Sequence, residues 1–386
     1  MGAKDVEALV QSGIDALRNG DAAQARALFD QIVAEGGAPP WLALAKACNM
    51  LGDAEGEEQA LHGQLDLDRS DLFALLLMGE LKVRQRDERA ADSFFRAGLR
   101  IAAAMPSPPA RLQPLLERAR SFTSTAQRRF QTHLLERLAG AGIADDASPR
   151  VRQALDLLLG RTELYLQQPV MFYYPGLPQR QFYERAEFEW LAAIETALPA
   201  LQDELAGVLA GGQEFEPYVT GDPARPKPNN PLLMDPSWGA YYFWRNGAPV
   251  EAHAARCPAT MEALALAPIP VIAKRSPMAL YSLLKPGTHI QPHHGLLNTR
   301  LICHVPLIAP EGCTLRVGNE TRAWREGETL IFDDSFEHEA WNRSDRTRIV
   351  LLFEIWRPEL DEAERAQLTI LFESIDLFSS GDGPDA

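Results

Sequence analysis

The chain has 386 residues, 46% hydrophobic and 24% charged, a composition typical of a folded globular protein with two or three domains. Its formal net charge of −15 argues against nonspecific binding to nucleic acid or anionic lipid. No CxxC pair occurs among the four cysteines, so we expect a reducing compartment. We find no signal peptide and no apolar run long enough to span a bilayer. These features predict a cytoplasmic protein that binds neither membrane nor nucleic acid.

The first hundred residues carry a weak internal repeat. Asp21, Asp53 and Asp87 lie 32 and 34 residues apart, and each precedes a segment of helical periodicity. This spacing is close to the period of about 34 residues in tetratricopeptide repeats, where helical hairpins stack because none buries its apolar face alone. Residues 5–103 therefore resemble a tetratricopeptide-like array of about three units. Its concave face is expected to bind a peptide or protein partner.

A proline-rich break at 105–109 ends the array, and residues 110–167 are predicted to form a helical linker region. Residues 211–239 hold several prolines and predict a long irregular stretch, which in a compact domain is usually functional or mobile. We expect residues 376–386 to form a disordered tail. The helices predicted after the array are 112–134, 151–166, 185–209 and 359–372.

From Ala279 onward the pattern changes to short strands separated by turn signals. The predicted strands are Leu280–Leu284, Thr299–Ile308, Thr314–Val317, Thr329–Phe332 and Arg348–Trp356. Many short strands of this kind predict a jelly-roll or cupin-like architecture, also called a double-stranded β-helix. The expected fold class is α+β multidomain, with the N-terminal helical repeats followed by a barrel domain over 168–375.

Five of the eight histidines lie between residues 289 and 338: His289, His293, His294, His304 and His338. Imidazole binds Fe, Zn, Cu and Ni alike, so the cluster indicates a metal site without choosing the metal. A histidine before a barrel strand, a second about 45 residues later and an arginine ten residues further on are typical of cupin-type oxygenases. Iron in such sites needs open positions for a 2-oxo acid and dioxygen, and the second carboxylate of that acid needs a fixed guanidinium.

Four strings between Tyr281 and Leu360 carry a family resemblance. They are Lys285-Pro-Gly-Thr-His289, Pro292-His-His-Gly295, Leu330-Ile-Phe-Asp-Asp-Ser-Phe-Glu-His338-Glu and Phe353-Glu-Ile-Trp-Arg-Pro-Glu-Leu360. This part resembles the aspartyl/asparaginyl β-hydroxylase family of Fe(II)- and 2-oxoglutarate-dependent oxygenases. The match is tight over about 80 residues and extends loosely back to Tyr174.

The resemblance implies that His293 and His338 ligate Fe(II), with 2-oxoglutarate and O2 as co-substrates. Most 2-oxoglutarate oxygenases add an aspartate two residues after the first histidine. This chain has Gly295 there, as the family does, so the resemblance implies two protein ligands and additional water. His294 is a less favoured alternative to His293 in the ligand role.

The resemblance also implies a co-substrate site. Arg348 and Ser282 match positions that bind the distal carboxylate of 2-oxoglutarate, and His304 matches one near its metal-binding end. Arg300, on the same strand face as His304, is a further candidate. The family often has an arginine where this chain has Ile302, which leaves open how an acidic substrate or the C1 carboxylate is held.

We therefore expect a dioxygenase that hydroxylates an unactivated carbon, namely the β-carbon of an Asp- or Asn-type residue in a peptide or protein, or a related small molecule. The alternatives are a non-catalytic repeat and cupin adaptor, a hydroxylase of acyl chains, and a zinc cupin isomerase. Asp333 and Asp334 are expected to orient neighbours rather than to bind metal. The aromatic residues of 238–244 either wall the substrate cleft or pack in the core.

Overall fold

The computed structural model describes residues 3–143, 148–212, 215–221, 226–227 and 229–379. The chain divides into two compact units, Met1–Leu155 and Asp156–Ala386. The described part of the first unit is helical. Its helices are α1 (Ala3–Arg18), α2 (Ala22–Ala34), α3 (Trp41–Met50), α4 (Ala54–Leu67), α5 (Leu72–Arg84), α6 (Glu88–Ala103), a 3-10 turn (Ala110–Leu112), α7 (Gln113–Gly140) and α8 (Pro149–Leu158), the last ending in the second unit.

The repeated aspartates begin alternate helices of this unit. The side chains of Asp21, Asp53 and Asp87 accept hydrogen bonds from the backbone N–H three residues on, at 2.9, 3.0 and 2.9 Å. Such an N-cap satisfies an N–H group that the start of a helix leaves without an intrahelical partner. The capped helices α2, α4 and α6 pack against α1, α3 and α5. The expected helical hairpins are therefore present, while their assignment as tetratricopeptide repeats stays a prediction.

Close approach of helices explains the small residues in the hairpins. A Cβ atom at Gly13 in α1 would lie 2.3 Å from the ring of Phe29 in α2, and one at Gly79 in α5 would lie 2.4 Å from the ring of Phe95 in α6. Both rings are buried. The first and third hairpins thus use the same arrangement, a glycine beneath an aromatic ring.

The second unit combines short helices with β-strands. Its helices are a 3-10 turn (Arg185–Glu187), α9 (Leu191–Thr196), α10 (Leu198–Ala210), α11 (Glu251–Ala254), α12 (Pro258–Leu264) and α13 (Glu362–Ser379). Its strands are β1 (Phe182–Tyr183), β2 (Glu216–Pro217), β3 (Trp238–Arg245), β4 (Ala248–Pro249), β5 (Ala279–Leu284), β6 (His289–His293), β7 (Arg300–Ile308), β8 (Cys313–Val317), β9 (Glu320–Ala323), β10 (Leu330–Phe332), β11 (His338–Asn342) and β12 (Arg348–Trp356).

Within the described residues these strands form two antiparallel sheets. The large sheet has the order β1-β10-β7-β12-β5-β3-β2, with β4 beside β3, and the small sheet has the order β6-β11-β8-β9. A helical region followed by antiparallel sheets confirms the α+β class. The finer assignment as a double-stranded β-helix stays a prediction.

The large sheet is covered on both faces. On β12, Ile349, Leu351 and Phe353 join an apolar core with α9, α10 and α12. The alternate residues Val350 and Leu352 join a second core with the small sheet. Strand residues point alternately to opposite faces, so one strand serves both cores.

Several predicted elements differ in extent. The helix predicted over 151–166 ends at Leu158, because Gly160 follows in a left-handed conformation with φ +67°. The helix predicted over 185–209 is interrupted between α9 and α10, with a proline in the first turn of α10. α13 continues to Ser379, beyond the predicted end at 372, whereas 380–386 lie outside the described residues.

The five predicted strands are present, but the described residues also contain four strands of three or more residues that were not predicted: β3, β6, β9 and β11. Among the described helices, none is long and apolar enough to cross a membrane. All four cysteines are buried free thiols.

We expect Phe353→Ala to destabilise the second unit by about 3–5 kcal/mol, because the fully buried ring packs between the large sheet and the helices. Urea unfolding measures the change. The control is Phe378→Ala on α13, where 86% of the side chain is exposed and a change within about 0.5 kcal/mol is expected. Equal losses in the two variants would contradict this account of the core.

Candidate active site

A cavity of about 690 Å³ is lined by residues of both sheets. Its lining includes all six residues that the sequence singled out, namely Ser282, His293, Arg300, His304, His338 and Arg348. They come from five strands and are spread over 67 positions of the chain (282 to 348), so it is the sheet pairing that brings them together. A concave, mostly apolar cavity with a few converging polar groups is the usual form of a ligand site.

Strand pairing sets the two predicted ligands side by side. His293 on β6 is the register partner of His338 on β11, and their ring centroids are 4.1 Å apart. The ring Nδ1 of His293 is 2.8 Å from the carbonyl oxygen of Gln291, and that of His338 is 3.0 Å from the carbonyl oxygen of Phe336. Each imidazole is thus oriented by the backbone two residues before it.

These backbone contacts determine the tautomer. A carbonyl oxygen only accepts hydrogen bonds, so Nδ1 carries the proton in both rings and Nε2 keeps its lone pair. Burial lowers the pKa of His293. The pKa of His338 is lowered to about 3, chiefly by burial and next by the charge of the adjacent His293 ring. Both rings are therefore neutral near pH 7, the form in which imidazole binds a metal ion.

The space beside Gly295 is filled by another residue. A Cβ atom at Gly295 would lie 2.1 Å from Oδ2 of Asp334, and the Gly295 N–H donates to the Asp334 carbonyl at 2.6 Å. Asp334 is 6% exposed, and its Oδ1 has no hydrogen-bond partner. A side chain at 295 is thus excluded by the Asp334 carboxylate. The sequence placed Asp334 in a turn and gave no signal for this contact.

The donor set fits a metal ion held by two imidazoles. Among the described residues, no group of three or more His, Cys, Asp or Glu side chains could hold a metal. The paired Nε2 lone pairs of His293 and His338 leave room for several exogenous ligands. That is what a metal which binds both a 2-oxo acid and dioxygen requires.

Arg348 at the start of β12 is a buried cation without a counter-ion. The residue is 1% exposed, and no described aspartate or glutamate forms an ion pair with it. Its guanidinium lies 4.6 Å from the Trp324 ring centroid, Nη1 donates weakly to the Ser282 carbonyl at 3.4 Å, and Nε has no partner. Burial lowers the pKa of Arg348 to about 10. Such a charge is costly to bury unless an anion joins it.

Two further polar side chains lie on the cavity wall. The Ser282 hydroxyl accepts a hydrogen bond from Nε1 of Trp238 at 3.4 Å. His304 has a buried Nδ1 without a partner, and burial followed by the charge of Arg348 lowers its pKa well below the usual value. The register of the large sheet places Ser282 opposite Val350 on β12 and His304 opposite Leu352, with both side chains facing the cavity.

Arg300 is placed differently from Arg348. It pairs with Glu354 through Nη1 and lies 3.5 Å from Asp334 through Nη2. Burial opposes its charge, but the carboxylates of Glu354 and Asp334 outweigh burial and raise its pKa. The sequence did not single out Glu354, although the period-two pattern of β12 places it on the same face as Arg348.

Of the remaining candidates, Asp333 makes structural hydrogen bonds, and the aromatic residues of β3 are shared between the cavity and the core. Asp333 accepts hydrogen bonds from Arg357 and Gln167 at 2.6 and 2.7 Å, so it ties segments together. In the aromatic run of β3, Trp238 lines the cavity, whereas Tyr241 and Phe243 pack in the helical core. One face of the strand thus contributes to the cavity and the other to the core, while a contact of Trp238 with substrate stays a prediction.

We expect Gly295→Ala to destabilise the protein by about 1–3 kcal/mol, because the new Cβ would collide with the Asp334 carboxylate. In the double variant with Asp334→Ala the loss should be smaller than the sum of the single losses by at least about 1 kcal/mol. Thermal or urea unfolding of the wild type, the two single variants and the double variant measures the coupling free energy between positions 295 and 334. Additive losses would contradict the contact.

The metal-free protein should lose stability as the pH falls from about 6.5 towards 3. His338 stays neutral when folded but takes up a proton when unfolded, so the unfolded state binds more protons in this window. The contribution to the slope is about 1.4 kcal/mol per pH unit. His338→Gln should remove that contribution in urea unfolding at several pH values. An unchanged slope in the variant would contradict it.

Comparison with known proteins agrees with this geometry. The family model described as aspartyl/asparaginyl β-hydroxylase matches residues 195–358. Human aspartyl/asparaginyl β-hydroxylase is 39% identical over 132 residues, covering 34% of this chain and 17% of the relative. Human aspartate β-hydroxylase domain-containing protein 2 is 31% identical over 213 residues, covering 54% of this chain and 55% of the relative.

The ornithine lipid ester-linked acyl 2-hydroxylase of Rhizobium tropici is 33% identical over 190 residues, covering 48% of this chain and 63% of the relative. The chain thus spans less than two thirds of each of these relatives. The matched segment contains the paired histidines, Arg348 and the Gly295 position, so residues 195–358 are similar to the aspartyl/asparaginyl β-hydroxylase family at the residues that line the cavity.

Proposed function

We propose that the protein is an Fe(II)- and 2-oxoglutarate-dependent dioxygenase that hydroxylates an unactivated carbon. In the overall reaction one oxygen atom of O2 enters a substrate C–H bond and gives an alcohol. The other enters 2-oxoglutarate, which leaves as succinate and CO2. The match of residues 195–358 to a family of hydroxylases supports the reaction type.

The observation that carries the proposal is the unpaired, buried charge of Arg348 in the same cavity as the two histidines. A dicarboxylate such as 2-oxoglutarate supplies the missing counter-ion with its distal carboxylate, and a guanidinium binds a carboxylate through two parallel hydrogen bonds. Ser282 lines the same cavity, and its hydroxyl can donate a further hydrogen bond. A catalytically inactive adaptor would gain nothing from burying this charge.

The residues of this chain would orient the metal ligands and exclude bulk water from the cavity. His293 and His338 would hold the metal through Nε2, with rings fixed by backbone carbonyls. When bound, Fe(II) supplies the activation of dioxygen and the removal of hydrogen from the substrate carbon. Asp334 fills the space that a side chain at position 295 would need, and its Oδ1 can accept a hydrogen bond from water in the cavity. Apolar walls limit the access of bulk water.

The β-carbon of an Asp- or Asn-type residue stays one candidate target, on the strength of the names of two relatives. A peptide or protein partner bound by the helical hairpins likewise stays a proposal. A cupin isomerase that uses zinc has no observation in its favour beyond the type of ligand.

The test is the visible charge-transfer absorption that develops when Fe(II) and 2-oxoglutarate are added without oxygen. Wild-type protein should show the band, His338→Ala should lose it, and Arg348→Met should need at least about tenfold more 2-oxoglutarate because the charged partner is gone. The matched control is His289→Ala on β6, where the imidazole stacks on Trp341 outside the cavity lining. It should keep the band.

No band with the wild-type protein, or equal loss in the control, would contradict the proposal. An intact band in His338→Ala would instead show that residues other than His338 bind the metal. Circular dichroism of each variant separates loss of the site from loss of the fold.

A further inference from the structure

We propose that residues 167–174 form a strap that positions the two imidazoles for the metal. Its positioning residue is Gln167, which links the turn after His293 to the turn before His338. The inference rests on the proposed function and adds residues to its metal site. The strap lies outside residues 195–358, which the family model matches, so that match assigns it no role.

Both histidines lie where the pairing of their strands ends. His293 is the last residue of β6, and His338 is the first residue of β11. In the part of the chain that the structure describes, β6 is the edge strand of the small sheet and pairs with β11 alone. The end of an edge strand frays unless other contacts hold it. The direction of the His293 ring therefore depends on what holds the residues that follow it.

The backbone of the strap holds the turns beside both histidines. The Val170 N–H donates to the Gly295 carbonyl oxygen at 2.9 Å, two residues after the first histidine. The Gln168 N–H donates to the Ser335 carbonyl oxygen at 2.7 Å, three residues before the second. One short segment is thus hydrogen-bonded to the two turns, and it limits their movement relative to one another.

The side chain of Gln167 makes the same connection in the interior. Its Nε2 donates to Oδ2 of Asp333 at 2.7 Å, and its Oε1 accepts a hydrogen bond from Nδ2 of Asn298 at 3.0 Å. The same amide also donates to the Pro178 carbonyl at 2.9 Å and accepts from the Gln179 amide at 3.1 Å. The residue is 6% exposed. Loss of this amide would therefore leave several buried polar groups without a partner, which is costly.

Asp333 extends the connection to the second histidine. Its Oδ1 accepts the Ser335 N–H at 2.9 Å, which shapes the turn. The next residue, Phe336, supplies the carbonyl that orients the His338 ring. A metal held by only two protein ligands depends strongly on the direction of each ring. Residues that orient a metal ligand typically change metal affinity by about tenfold to a hundredfold when they are substituted.

The middle of the strap can be altered without opening a core. Val170 and Met171 are 69% and 57% exposed, and Met171 lines the mouth of the cavity. The following residue, Phe172, anchors the strap through an edge contact with the Phe372 ring at 5.1 Å between centroids. A substitution at Val170 therefore loosens the strap where hydrogen bonds, rather than buried apolar surface, hold it.

The experiment titrates the full-length, metal-free protein with Co(II), whose visible absorption depends on its ligands and their geometry. Val170→Pro removes the N–H that the Gly295 carbonyl accepts. We expect the dissociation constant for Co(II) to rise about tenfold, with a changed absorption spectrum. The matched control is Val170→Ala, which shortens the exposed side chain but keeps the N–H. It should bind Co(II) as the wild type does.

Gln167→Ala tests the interior connection and should raise the same dissociation constant about tenfold or more. Its control is Gln202→Ala on α10, where the amide donates to the Leu307 carbonyl at 2.8 Å. Neither of these two residues lines the cavity. A loss of stability alone leaves the dissociation constant unchanged while the protein stays folded, so the control should bind Co(II) normally. Should Gln167→Ala prevent folding, the two variants at Val170 still decide the proposal.

Two outcomes would overturn the inference and leave the proposed function intact, in a wild-type protein that binds Co(II) and shows the iron and 2-oxoglutarate absorption. One is unchanged Co(II) affinity in both Val170→Pro and Gln167→Ala. The other is equal weakening in the controls, because the effect would then be general. A wild-type protein that binds no Co(II) and shows no such absorption would instead overturn the proposed function itself.

Discussion

The strict alternation of side chains on β12 is the constraint on which the second unit depends. The strand lies between β7 and β5 in the large sheet, so it cannot shift by one residue without turning both of its faces over. Its odd-numbered residues 349–355 hold the sheet to the helices, while Arg348 and Leu352, on the opposite face of the strand, line the cavity. Anchoring in the helical core therefore fixes the position of the charged residues that define the site.

The small sheet supplies the complementary half. Its β6 and β11 strands are paired so that the two histidines face one another, with each ring held by a carbonyl of its own strand or of the turn before it. The small sheet thus contributes two neutral imidazoles and the large sheet contributes the Arg348 guanidinium. These groups lie in one cavity because the apolar core between the sheets fixes the strand register of both sheets.

Much of this was predictable, since it depends on local patterns. The N-cap aspartates, the β-branched strands and the histidine spacing are visible in the sequence, and all six predicted site residues line one cavity. The missed strands β6 and β11 are rich in His, Pro, Glu and Asn, so strand propensity does not identify them. The contact of Asp334 with Gly295 and the pairing of Glu354 with Arg300 join residues 39 and 54 positions apart (334 − 295 and 354 − 300). Only tertiary structure reveals such contacts.

The isolated charge of Arg348 has a consequence for the amount of protein that a cell maintains. A fold that buries a cation without its counter-ion is less stable than one in which the ligand is bound, and a ligand specific to the native state shifts unfolding by mass action. On the proposed function, that ligand is a central metabolite. The folded fraction, and with it the resistance to proteolysis, would then rise and fall with the concentration of 2-oxoglutarate.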